Sequence, residues 1–138
     1  MVEREQGDVA ALVKALGDED PVVRTRAAKD LGRLGPDAAE AAGALTRAVR
    51  DVDPMVRSMA AASLGKIGSA AQVGGPALVE ALEDPVFPVR FWAAEALGRI
   101  GGGVPGALAA LEALAGDQNA AVRAAASRAA ARLRTPTG

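Results

Sequence analysis

The chain has no cysteine and no histidine, and its aromatic side chains are Phe87, Phe91 and Trp92 alone. Without cysteine there is no disulfide frame, thiolate nucleophile or thiolate metal site, and without histidine the usual general base and metal ligand is missing. Zinc enzymes and cysteine or histidine mechanisms are therefore excluded, and neither a metal nor a cofactor is expected. No stretch approaches the roughly 18 unbroken apolar residues of a membrane span. The charged start, Met-Val-Glu-Arg-Glu-Gln, leads into no apolar signal core. The expected address is cytoplasmic, with no membrane partner. A dominant charge is lacking too: 16 basic and 17 acidic residues leave a net charge of −1. That removes the long-range field by which nucleic acids and anionic membranes attract proteins, while leaving room for a local basic patch.

What is present is apolar and helix-forming. Half of the 138 residues are apolar, and with so few rings the core must be built from Ala, Leu, Val and Ile, which suits closely approaching helices. Strand-like runs of β-branched and aromatic residues are missing, whereas Ala and Leu, among the best helix formers, fill the chain outside its turns. The expected class is all-α. The length suits one folding unit with a core of its own, so residues 1–138 are read as a single domain.

The chain repeats itself every 33 residues: Asp18, Asp51, Asp84 and Asp117 form one column, and Arg24, Arg57, Arg90 and Arg123 a second. Val23, Val56, Val89 and Val122 precede the arginines, with further columns at Leu12, Leu45, Leu78 and Leu111 and at Leu34, Ile67, Ile100 and Leu133. A fixed period in this range marks a solenoid, whose units must stack because none can bury its apolar face alone. The copies run at about 8–40, 41–73, 74–103 and 104–134.

Within a copy, Val23, Ala27, Leu31 and Leu34 share one face of a helix. Asp20-Pro21 and Asp53-Pro54 mark where these second helices start, a capping carboxylate before a proline that needs no N–H. Gly35, Gly68 and Gly101 mark where they stop. Shorter first helices are expected at about 9–16, 41–49, 76–82 and 105–115. Gly74-Gly75 and Gly101-Gly102-Gly103 read as turns, since neither fits a phosphate-binding loop. In the fourth copy Ala130, Ala131 and Arg134 stand where Leu, Gly and Gly stood before, as expected of a capping unit.

The strings Asp-Glu-Asp-Pro-Val-Val-Arg (residues 18 to 24) and Ala-Ala-Glu-Ala-Leu-Gly-Arg-Ile-Gly (residues 93 to 101) resemble HEAT repeats of the phycobilisome-lyase-like type. The resemblance covers about residues 8 to 134 and implies a right-handed α-solenoid of four HEAT-like hairpins whose second helices line the concave side. It also implies structural roles for the Asp and Arg columns, the carboxylates binding backbone N–H groups and the arginines bridging to the next copy. Because that family includes chromophore-lyase subunits, scaffolds and adaptors, it specifies function only loosely. The third copy departs from the pattern at Asp84-Pro85-Val86-Phe87-Pro88, which puts its turn and cap in question.

No catalytic residue stands out. Serines have no histidine to activate them, and the carboxylates are spread along turns. A last-turn column of cations, Arg33, Lys66, Arg99 and Arg132, has the chemistry to grip phosphates or an acidic partner, but the expected role is to offset the helix dipole. The informative positions differ between copies, because stacking does not dictate them. Phe91 replaces Thr25, Ser58 and Ala124, and Trp92 replaces Arg26, Met59 and Ala125. On the concave face they would lie beside Met55 and Met59, with Lys29, Glu95 and Arg99 around them, the composition of a protein-binding hot spot. The competing account is that the rings fill space left by so many alanines, although adjacent residues point about 100° apart and cannot easily both face one core.

The expected function is that of a non-catalytic adaptor binding a protein or peptide. An accessory subunit of an enzyme such as a chromophore lyase, and a nucleic-acid-binding solenoid, are the alternatives. Nucleic acid is not the expected partner, since a binding groove would combine basic and stacking aromatic residues. A monomer or weak homodimer is expected, and alanine richness suggests a bacterial source.

Overall fold

The computed structural model describes residues 2–135, and side chains from residue 8 onward. Eight α-helices pair into four hairpins: α1 (Val2–Ala15) with α2 (Pro21–Leu34), α3 (Ala42–Ala48) with α4 (Pro54–Ile67), α5 (Gly75–Ala81) with α6 (Phe87–Ile100), and α7 (Ala107–Ala113) with α8 (Ala120–Arg134). There is no strand among the described residues, and the chain is an α-solenoid. The first helix begins well before the expected 9, whereas α3, α5 and α7 are single short stretches of seven residues each.

The turn within each hairpin has one backbone shape. Asp20, Asp53, Val86 and Asn119 cap the second helices with φ of −83, −89, −97 and −93° and ψ of 118, 124, 121 and 125°. Asp20, Asp53 and Asn119 also accept from N–H groups of the first turn. Val86 offers no such bond. The third copy therefore keeps the turn and loses only the cap. Pro88 explains why the loss is small, because it has no N–H for a capping side chain to satisfy. Gly35, Gly68 and Gly101 then end α2, α4 and α6 at φ of +56, +83 and +105°, a region L side chains rarely enter. At Arg134 there is no such glycine, and α8 takes that position in as its last residue.

The links between hairpins depart from simple turns. Gly35–Ala41 and Gly68–Gly74 are 3₁₀ helices, broken at Ala38 and Ala71. They bury Ala38 and Ala41, and Ala71 and Gly74, at the three-residue spacing of that helix. The reading of Gly74-Gly75 as a turn is thereby corrected, since Gly74 closes the 3₁₀ segment and Gly75 opens α5. The reason is space: a Cβ on Gly75 would lie 2.6 Å from a Val104 methyl. Ala42 and Ala71 hold the equivalent positions one copy earlier, so a larger residue at 104 is matched by a smaller one at 75.

Second helices pack on second helices along the stack more closely than first helices on first helices, which makes the second-helix layer the inner, concave one. Small residues permit the approach. A Cβ on Gly65 would meet the Ala96 Cα at 3.0 Å, one on Gly98 would meet the Ala129 Cα at 3.0 Å, and one on Gly32 would run into Ser63 Oγ. That hydroxyl donates instead to the Ala28 carbonyl. Ala131 holds the corresponding place in α8 and is exposed, so it needs no such thinning. The largest side chains of the core between the layers are leucine and valine, with Leu31, Leu45, Leu64, Leu78, Leu97 and Leu111 fully buried beside Val56, Val89 and Val122, and alanines such as Ala28, Ala60 and Ala94 fill the space between them. Leu12 and Val23, members of the same columns, remain partly uncovered on the outer face of the first hairpin.

Candidate binding surface

Two surfaces are built from repeated polar residues, and they differ in kind. Along the turns, Arg57 Nε donates to Asp84 Oδ2 at 2.8 Å and Nη2 to Oδ1 at 3.1 Å, while Nη1 donates to the carbonyls of Asp51 and Val52 in its own turn. Arg24 makes the same fork to Asp51, and Arg90 to Asp117. Each column carboxylate also accepts from the N–H two residues on, as Asp18 does from Asp20 and Asp117 from Asn119. The Arg90 bonds, helped by the Asn119 N–H and opposed by burial, hold the Asp117 carboxyl below its ordinary pKa. Asp51 pushes the Arg24 guanidinium above its ordinary value in the same way. These side chains are occupied with one another. Arg123 closes the ladder: it donates to the Asp117 and Gln118 carbonyls and has no carboxylate partner among the described residues.

The inner face is different: Arg33 meets Asp30 at 3.4 Å and Arg128 meets Glu95, but Arg26, Lys29, Lys66, Arg99 and Arg132 enter no ion pair among the described residues. Positions 22, 25, 26, 29 and 33 recur on one face of α2, and they line an open groove of about 520 Å³ that Met55 of α4 closes from the other side. Val22 and Met55, 65% and 57% exposed, give this groove apolar walls. Of the residues expected at the site, Lys29 and Met55 are brought together here. Met59 is half-buried in α4. Phe91 and Trp92 lie two helices further on, ring centroids 4.9 Å apart and edge to face. Both are half-buried and packed against the core, so each ring covers core and leaves part of itself to solvent. Glu95 accepts from Arg128 Nη2 at 2.9 Å, and Arg99 is exposed.

The equivalent inner positions of α2, α4, α6 and α8 carry the cations Arg26, Lys29, Arg33, Lys66, Arg99, Arg128 and Arg132 against the carboxylates Asp30 and Glu95. That is a net charge of +5 on one face of a chain whose total is −1. The neutral total conceals this excess, since the rest of the chain then carries a net charge of −6. Size singled out Phe91 and Trp92 in the sequence, but Val22, Arg26 and Phe87 were passed over. Their signal was available: the column holding Val22 reads Val, Met, Pro and Ala in the four copies. Phe87 replaces the helix-opening residues Pro21, Pro54 and Ala120 and is 48% exposed. Among the described residues no group of His, Cys, Asp or Glu is placed to hold a metal, and no helix is long and apolar enough to cross a membrane.

A family model of HEAT repeats matches residues 9–74 and again 75–137. A comparison with the curated proteins finds no match. Among solved structures, the chain is similar to one engineered protein with a TM-score of 0.76 and 25% identity over 91% of this chain. It is similar to a second with a TM-score of 0.76 and 26% identity, again over 91% of this chain. It spans 62% and 37% of the lengths of those two proteins. It also resembles in fold the complex of CpcE and CpcF of phycocyanin lyase from Nostoc sp. PCC7120, with a TM-score of 0.57 and 21% identity, over 89% of this chain and 98% of that one.

Proposed function

The chain belongs to the HEAT-repeat family, and from that membership we propose that it is a non-catalytic, cytoplasmic adaptor that docks a protein segment on the inner face of its second helices. The observation that carries this reading is the groove between α2 and α4, where exposed Val22 and Met55 stand among Arg26, Lys29 and Arg33. Exposed apolar side chains within a charged rim are the make-up of protein interfaces. Met59, Phe91, Trp92, Glu95 and Arg99 extend the surface along the stack. The ladder of Asp18, Asp51, Asp84 and Asp117 with Arg24, Arg57, Arg90 and Arg123 serves stacking and leaves the inner face free for recognition.

The test is a pull-down from lysate with wild type, a Met55→Glu variant and a Phe91→Ser/Trp92→Ser variant, each shown to be helical by circular dichroism. Capture by wild type that both variants lose supports docking across the inner face. Capture retained by both moves the partner elsewhere and returns the two rings to a purely structural role. A second reading, an accessory subunit of an enzyme such as a chromophore lyase, takes its support from the fold likeness to the CpcE and CpcF complex. Visible absorbance from a tetrapyrrole carried by the purified chain would favour that reading.

A further inference from the structure

The inner face is basic where the rest of the chain is acidic, and this asymmetry says what kind of segment fits it. Arg26 and Lys29 are exposed and enter no ion pair among the described residues, unlike the ladder arginines Arg24, Arg57 and Arg90. Stacking does not require them: Ala125 and Arg128 replace them in α8, and Met59 and Ala62 in α4. They stand along the same groove as Val22 and Met55. Resting on the protein-docking reading above, we infer that this groove takes an acidic segment of a partner protein. An apolar side chain of that segment seats between Val22 and Met55, and neighbouring carboxylates meet Arg26 and Lys29.

Three considerations select a carboxylate-bearing segment over a nucleic acid, the other polyanion such a surface could attract. Phe91 and Trp92 are turned on each other and half-buried, so no open ring platform is offered to successive bases. The groove lining includes Asp53, and Asp30 paired with Arg33 at 3.4 Å, so its cations are interrupted by carboxylates. A phosphate backbone carries a charge at every nucleotide and would meet them, whereas the few carboxylates of a peptide can be spaced around them. The groove walls are aliphatic and thioether, which reward an apolar side chain and give a sugar-phosphate chain nothing. A carboxylate beside an apolar residue satisfies both features at once, with charge-assisted bonds to arginine as the stronger part.

The experiment selects displayed short random peptides against the full chain, then measures the binders by fluorescence anisotropy on wild type and on Arg26→Glu/Lys29→Glu. The outcome expected is enrichment of Asp and Glu around an apolar residue, with affinity weakened by added salt and falling about tenfold or more on the charge-reversed variant. Both substitutions lie outside the last turn of α2, and the melting temperature of the variant is checked. Should it fall, Arg26→Gln/Lys29→Gln carries the comparison. Binders without acidic enrichment, or acidic binders that hold the variant equally well, overturn the acidic assignment and leave protein docking standing. No binder at all removes the docking reading together with this one. A DNA or RNA duplex that binds more tightly than the selected peptides, and loses binding on the same variant, reassigns the face to nucleic acid.

Discussion

Replacing Arg57 by alanine removes the central rung of the turn ladder, and the structure sets the size of the effect. The pair with Asp84 is neither exposed nor sealed, the two side chains retaining 16% and 11% of their accessibility. Exposed pairs contribute about 0 to 1 kcal/mol, whereas breaking a fully buried pair costs about 3 to 5 kcal/mol. Arg57→Ala should therefore cost about 2 to 3 kcal/mol, which for a chain of this size lowers the melting temperature by about 8 to 12 °C. Asp84 is not left bare, because the Val86 N–H still donates to it at 2.9 Å.

Arg123→Ala is the built-in control. Arg123 makes the same two carbonyl bonds within its turn but meets no carboxylate among the described residues, so its loss should cost only about 0.5 to 1.5 kcal/mol. Melting followed by circular dichroism measures both. A cycle with Asp84→Ala should give a coupling of about 1 to 2 kcal/mol between Arg57 and Asp84. If Arg57→Ala and Arg123→Ala melt alike and the cycle shows no coupling, the inter-repeat fork contributes nothing and the reasoning fails.

Gly65→Ala should lower stability by about 1 to 2 kcal/mol in urea titrations, the crowding against Ala96 outweighing the gain in helix propensity. Ala131→Gly, at the same position of α8 with nothing opposite, should lose only about 0.5 to 1 kcal/mol, through backbone freedom. Asp117 has a folded-state pKa below its ordinary 3.8, so its stabilising share is present above that value and fades as pH falls through the folded one. Asp117→Asn should accordingly flatten the acid end of the stability profile, and an unchanged slope would count against the assignment. Trp92→Ala should cost about half of the 3 to 5 kcal/mol of a fully buried ring. A loss near zero would show that the indole covers no core.

The sequence made the repeat legible because stacking imposes the same demand four times over. Asp18 and Arg24 recur in phase in all four copies, and Leu31 and Gly35 in the first three, and capping and helix ends follow from them. The 3₁₀ links were hidden, since Ala38 and Ala41 look like any other alanines until their three-residue spacing is tied to burial. Gly75 misled for a related reason. Its small size answers Val104 in the next copy rather than a local turn, and such a pairing leaves no mark in the neighbouring residues. At the inner face the large side chains Phe91 and Trp92 stood out, while the groove beside Met55 did not. A groove depends on which positions of two helices face each other. The net charge of −1 likewise averaged away a basic face that appears once the helices are set side by side.

Docking on the inner face is tested most directly by photo-crosslinking. A benzophenone amino acid is placed at Met55, in the groove, or at Val73, an apolar residue 64% exposed in the 3₁₀ link between hairpins. Each chain is then irradiated with a captured partner. Adducts from position 55, suppressed by excess acidic peptide, with little from position 73, are the result the account predicts; adducts of equal yield from both, or from position 73 alone, would contradict it.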